Sequence, residues 1–199
     1  MAAPPARRAD FGHALVHLTR ERKEYTSTDF LTQKLDRVVA PFDVLKEILA
    51  SGTIRGSGNE GYVKGNRPAV CFSEIPLASM HQFAAPMSDP GRYRFYGIAL
   101  SKQTVFEAGG RPVIYLPDGE GEWIPPEEKW RHVRFEHGHV DYTHEREWRL
   151  RGDLDLKTVR GMFVIVWSAE EARDLAKFSN PLTTKIRGIL PIEYITMML

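Results

Sequence analysis

A single cysteine, Cys71, is present among 199 residues, so no intramolecular disulfide can form and a disulfide framework is excluded. Long apolar runs are missing as well. The longest, residues 162–167, falls far short of the roughly 20 residues that a membrane-spanning helix needs. Charge of one sign is not in excess: 27 lysines and arginines face 26 aspartates and glutamates, a net charge of +1. That balance removes any general electrostatic case for nucleic-acid binding, which shows as a strongly basic domain. The glycines at 56, 58, 61 and 65 lack the Gly-Lys-Ser or Gly-Lys-Thr ending of a phosphate loop, which argues against a nucleoside triphosphatase. No repeat, no low-complexity tract and no basic-then-apolar start with a small-residue cleavage site is visible, and the cytoplasm is the expected compartment.

With 42% hydrophobic residues, a chain of this size can bury a real core without a structural metal. Residues 1–10 carry prolines and paired arginines but no apolar period, and read as a flexible N-terminal arm. Residues 11–199 read as one domain. Phe42, Leu45, Ile48 and Leu49 recur at helical spacing before Gly52, which predicts a helix over 42–50. A second helix is predicted over 169–178 with Ser168 as its N-cap, and a helical turn over 77–83. Strands are predicted over 14–19, 69–73, 93–100, 112–116, 142–150 and 162–167, with a last strand or docked tail over 189–198. Residues 21–39 are polar and ambiguous, and the glycine-rich 54–68 reads as a loop. Several strands with few short helices predict an α+β domain rather than a doubly wound parallel sheet.

The stretch Tyr142-Thr-His-Glu-Arg-Glu-Trp-Arg-Leu150 is the most informative. As a strand it divides with a period of two, so Thr143, Glu145, Glu147 and Arg149 share one face and Tyr142, His144, Arg146, Trp148 and Leu150 the other. Two carboxylates and a guanidinium would then project together. An exposed sheet face with charged neighbours explains this; a carboxylate pair at the floor of a cleft, one orienting substrate and one acting as base, explains it too. In Leu15-Val-His-Leu-Thr19 the same alternation places His17 and Thr19 together, two hydrogen-bonding groups suited to sugar hydroxyls, although a strand histidine is more often a packed one. Ser73 and Glu74 end the next strand, where a turn before Pro76 is their ordinary use. His132, His137, His139 and His144 match no zinc spacing, so no metal ligand set is assigned.

The order of these motifs, His17-Leu-Thr19, Val44 to Gly52, Ala69-Val-Cys-Phe-Ser-Glu-Ile-Pro76, Tyr96-Gly97, Pro112 to Tyr115 and Glu145-Arg-Glu-Trp-Arg149, resembles that of the DNA-targeting ADP-ribosyltransferase toxins and of the abortive-infection proteins of the AbiG type. The resemblance implies a bent, split mixed β-sheet of ADP-ribosyltransferase type with short peripheral helices and a cleft for NAD, consumed as substrate. It further implies that His17, Thr19 and Ser73 hold NAD, that Tyr96 stacks on nicotinamide, and that Glu147 is the carboxylate at the scissile bond. Glu145 completes a Glu-x-Glu pair, and Arg67 is the nearest candidate for the catalytic arginine.

The function expected on this basis is NAD-dependent mono-ADP-ribosyl transfer to a nucleic-acid or protein acceptor, in a toxin or phage-defence setting. A catalytically silent binding module paired with a toxin or antitoxin is the alternative, and a metal-dependent nuclease built on the histidines a second one. The loop over 52–67, with Arg55, Lys64 and Arg67, is expected at the cleft edge as a lid that orders on binding.

Overall fold

The computed structural model describes residues 13–27, 34–58, 62–76 and 95–196, with backbone alone at 195 and 196. The arm over 1–10 and the helical turn over 77–83 lie outside the described residues. A mixed seven-stranded sheet carries the fold, in the order β13-β12-β6-β1-β5-β10-β7. Its strands are β1 (Ala14–Leu18), β5 (Ala69–Ser73), β6 (Gly97–Ser101), β7 (Arg111–Pro112), β10 (Glu147–Arg151), β12 (Met162–Val166) and β13 (Ile186–Pro191). Every neighbouring pair is antiparallel except β12 and β13. The ladders are unequal. β1 pairs with β6 through five registered residues and β5 with β10 through five, but β1 meets β5 at one pair, Val16 opposite Ser73. Where a split was expected, hydrogen bonding is therefore continuous and narrows to a single pair.

Alternation along the strands builds two faces of different character. Leu15, Val70, Phe72, Ile98, Leu100, Leu150 and Val164 form the main core on one face. It is covered by α1 (Pro41–Ser51) through Leu45 and Leu49, α2 (Lys102–Glu107) through Val105 and α3 (Ala169–Lys177) through Leu175. Leu45 and Leu49 are fully buried, each contributing about 1.5–3 kcal/mol relative to an exposed position. The other face divides into an apolar cluster of Val16, Ala99, Ile165 and Ile192 and a smaller one of Val63, Ala69 and Trp130.

The helices form for the reasons their sequences suggest. Pro41 starts α1, and Gly52, left-handed at φ 74°, ends it by returning its N–H to the Ile48 carbonyl. Ser168 and Glu171 close a capping box on α3.

Two expectations are corrected. The strand predicted over 142–150 begins only at Glu147: Asp141 accepts from both the amide and the hydroxyl of Thr143, a 3₁₀ turn over Thr143–Glu145 follows, and Arg146 takes φ 46°. The strand predicted over 112–116 divides into β7 and β8 (Ile114–Leu116) at Val113, whose amide turns to the Glu147 carbonyl; β8 pairs in parallel with β9 (His132–Arg134). The ambiguous 21–39 contains an antiparallel hairpin of β2 (Arg22–Tyr25) and β3 (Leu35–Val39). Where a last strand or docked tail was expected over 189–198, β13 is followed by α4 (Glu193–Thr196), and residues 197 and 198 lie outside the described residues.

The described parts of the glycine-rich segment on either side of residues 59–61 are held in place. Ser57 and Ala69 exchange both backbone hydrogen bonds at 2.9 Å, Gly56 donates to Asp153 at 2.8 Å, and Val63 is buried. A Cβ at Gly56 would stand 2.5 Å from the Gly152 carbonyl oxygen, so glycine permits this close approach.

Candidate functional site

The three strands bearing the sequence motifs, β1, β5 and β10, are neighbours in the middle of the sheet. Ser73 faces Val16 on one side and Glu147 on the other. Register therefore places Glu147, Ser73 and Val16 on one face, and His17, one residue on, on the opposite face with Phe72. The His17 ring meets the Phe72 ring edge-on at 6.0 Å. The expected convergence of His17 and Glu147 in one cleft does not occur, because a period of two separates them.

His17 Nδ1 lies 2.9 Å from the Cys71 carbonyl oxygen. A carbonyl only accepts, so Nδ1 donates and the neutral ring keeps its lone pair on Nε2. Burial lowers the His17 pKa below its ordinary value, against the opposing effect of that bond. Thr19 is buried, and its hydroxyl donates to the carbonyls of Pro41 and Tyr96 at 2.9 and 3.2 Å. Tyr96 packs against Phe42 at 5.5 Å between centroids, and its hydroxyl donates to Glu171 at 2.7 Å. Thr19 and Tyr96 tie this end of β1 and β6 to α1 and α3, and His17 ties β1 to β5. They are not grouped with Glu147.

The second group centres on Glu147. Its carboxylate takes Arg149 Nε on Oε1 at 2.7 Å and Nη2 on Oε2 at 3.3 Å, a two-bond fork. Arg149 is 1% exposed, and its remaining N–H groups reach the carbonyls of Trp130 at 2.8 Å and of His132 and Tyr62 at 3.4 Å. Burial works to lower the Arg149 pKa, and the adjacent Glu147 and Cys71 outweigh it, holding it above its ordinary value. Burial, followed by the Glu147 charge, pushes the neighbouring Cys71 thiol up to about 12. Tyr115 joins from β8: its hydroxyl accepts from the Glu147 amide at 3.1 Å and donates to the Tyr142 carbonyl at 3.3 Å. Burial first, then the charges of Glu147 and Glu145, raises its pKa to about 12.

Ser73 latches this end of the sheet. Its hydroxyl donates to the Glu145 carbonyl at 2.8 Å and accepts from the Ile75 amide at 3.2 Å. Glu145 thus stands beside the cluster, but on the 3₁₀ turn and not as the strand-face partner that alternation predicted. Arg67 is corrected more fully. It is exposed, before the start of β5, six residues from Ser73 and hence roughly 20 Å along an extended chain. The arginine beside Glu147 is Arg149, not Arg67, the candidate for the catalytic arginine.

Three participants escaped sequence reasoning. Arg149 was on the right face but was not assigned to the carboxylate two residues before it; the alternation was the available signal. Tyr115 carries no local signal, since its approach depends on the break at Val113. Glu74 is buried on the His17 face, where Lys102 Nζ reaches it at 2.5 Å and Trp148 Nε1 donates to it at 2.9 Å.

Among the described residues no three histidine, cysteine, aspartate or glutamate side chains converge to hold a metal ion. His132 is buried, donating Nε2–H to the Leu116 carbonyl at 3.0 Å, while Lys64 contacts Asp118 and lies 3.5 Å from His132 Nδ1. No helix among the described residues is long and apolar enough to cross a membrane. Comparison of the chain with protein-family models, curated proteins and solved structures yields no match.

Proposed function

We propose that this chain is a cytoplasmic NAD-dependent mono-ADP-ribosyltransferase whose working carboxylate is Glu147, with Glu145 beside it. The observation that supports this most is the direct register of Ser73 on β5 with Glu147 on β10 and with Val16 on β1. Three short motifs whose order resembles the transferases thus lie on neighbouring strands. Transfer breaks the bond between ribose C1′ and the nicotinamide nitrogen, releases nicotinamide, and forms a bond from C1′ to the acceptor nucleophile, whose proton is lost to a base. NAD supplies the electrophilic ribosyl carbon and the leaving group.

The residues around Glu147 fit one end of that substrate. Two of the carboxylate's four lone-pair sites are taken by Arg149, and its side chain stays 11% exposed, so acceptor capacity remains for a ribose hydroxyl. A carboxylate so bonded favours the positive charge that develops at C1′. Arg149 is a positioning residue, fixing the rotamer of Glu147 from within the protein. Glu145 is the candidate base for a nucleic-acid or protein acceptor. His17, Thr19 and Tyr96 shape the supporting wall in this scheme and do not hold the ribose.

A second reading is favoured by the same fork. With both Glu147 oxygens on Arg149 and the Ser73 proton on a carbonyl, the site suits a silent binding module that pairs with a toxin or antitoxin. Nicotinamide release from NAD, with and without nucleic acid or protein acceptors, separates the two. Transferase activity predicts release by the wild type and a loss of about 10²-fold or more in Glu147→Gln. A folded wild-type protein that releases none under all acceptor conditions supports the silent module.

A further inference from the structure

Beyond the Glu147 cluster, the same face of β10 continues through Arg149 to Arg151. There a cleft of about 290 Å³ opens at the β7 edge of the sheet, lined by Ala108, Gly109, Arg111, Glu128, Trp130, Arg131 and Arg151. Its volume is near the lower end of the roughly 300–1,000 Å³ usual for small-molecule sites. Three guanidinium groups meet one carboxylate in its lining, and Glu128 is already drawn 3.5 Å from Arg131.

The donors there exceed the acceptors. Arg111 donates from Nη1 to the Phe106 and Gly110 carbonyls at 3.0 and 2.7 Å, which fixes its guanidinium over the Phe106 ring at 4.1 Å and leaves its Nε and Nη2 groups without a partner among the described residues. Arg131 is held by the Pro112 carbonyl at 3.3 and 3.2 Å. Arg151 is exposed and has no hydrogen-bond or ion-pair partner among the described residues. Trp130 adds an independent observation. It is 3% exposed, it lines the cleft, and its indole N–H is the one buried side-chain polar atom among the described residues without a partner. A buried donor left unpaired costs free energy until an acceptor arrives.

We propose that this cleft binds a phosphate ester, with Arg111 and Arg151 as the charged contacts and the Trp130 side chain as part of its wall. A phosphate offers several strong acceptors and negative charge, which matches the planar guanidinium of Arg111, held in place, and that of Arg151, free to turn to it. Arg151 is four strand residues from Glu147, roughly 13 Å, so the site is distinct from the carboxylate cluster and does not depend on NAD cleavage. The phosphate can belong to a nucleic-acid backbone or to a small free ester; their shared chemistry is what the cleft recognises.

Nitrogen–proton correlation spectra of the full chain test this directly. The chain has four tryptophans, and the indole signal missing in Trp130→Phe identifies Trp130. Inorganic phosphate is expected to shift that signal saturably, where chloride of equal ionic strength does not. In Arg151→Gln, an exposed substitution that leaves the fold intact, the midpoint is expected to rise about tenfold. A five-residue oligothymidylate that saturates at lower phosphate concentration than inorganic phosphate assigns the source to a nucleic-acid backbone; equal midpoints assign it to a small ester. An unmoved Trp130 signal, or an equal midpoint in Arg151→Gln, overturns the proposal.

Discussion

Replacing Arg149 with methionine probes the centre of the site and of the β10 face together. The substitution keeps much of the side-chain volume but removes the guanidinium from a place where it is 1% exposed. Glu147 is left as a largely enclosed carboxylate, and the carbonyl of Trp130 loses its 2.8 Å donor, with weaker losses at His132 and Tyr62. Removing one partner of a buried ion pair costs about 3–5 kcal/mol, a large share of a total stability of roughly 5–15 kcal/mol. At roughly 2–4 °C per kcal/mol for a chain of this length, the melting temperature falls by about 6–20 °C. Urea denaturation followed by circular dichroism, with thermal melts alongside, gives the number. The double variant Arg149→Met with Glu147→Met recovers at least half of the loss, since an apolar pair avoids the stranded charge. A loss below about 1 kcal/mol in the single variant, or strict additivity in the double, refutes the argument that the fork carries the stability of this face.

Stability also rises with pH on account of His17. Its folded pKa is below its ordinary value, so between the two values the unfolded chain binds more protons, and stability is lost as the pH falls below about 6.5. Urea midpoints measured between pH 7.5 and about 5 show a shallower decline in His17→Gln; an identical slope contradicts the assignment. Cys71, with a thiol pKa of about 12, has roughly one molecule in ten thousand as thiolate at pH 8. Ellman's reagent is therefore expected to label the native chain far more slowly than the urea-unfolded one, and equal rates count against the buried thiol.

Sequence alternation recovered most of the sheet because buried strands must sort their side chains by face. Strands 69–73 and 162–167 are rich in apolar residues and appear within a residue of the expected bounds. The helices follow as well, since Gly52 and Ser168 act through local geometry that neighbours alone determine. The site was legible in part. Glu147 and Arg149 do share a face, but Glu145 left it because Asp141 and Arg146 impose a turn, a competition between local side-chain bonding and the strand ladder. Grouping His17 with Glu147 needed the relative register of β1 and β10, which is set through β5 and is not written in either motif. Arg67 and Arg149 differ in burial, which the sequence around each does not reveal.

The single registered pair between β1 and β5 has a mechanical consequence. Load along the sheet is shared by five rungs in the β1–β6 and β5–β10 ladders, but across the middle it falls on Val16 and Ser73, with the His17 ring adding one side-chain tether to the Cys71 carbonyl. Backbone hydrogen bonding is therefore thinnest at this seam, and the shared core of Leu15, Val70 and Phe72 is what bridges it. Glu147, Arg149 and the arginine cleft all lie on the β5–β10–β7 side of that seam, so they share one set of strand ladders.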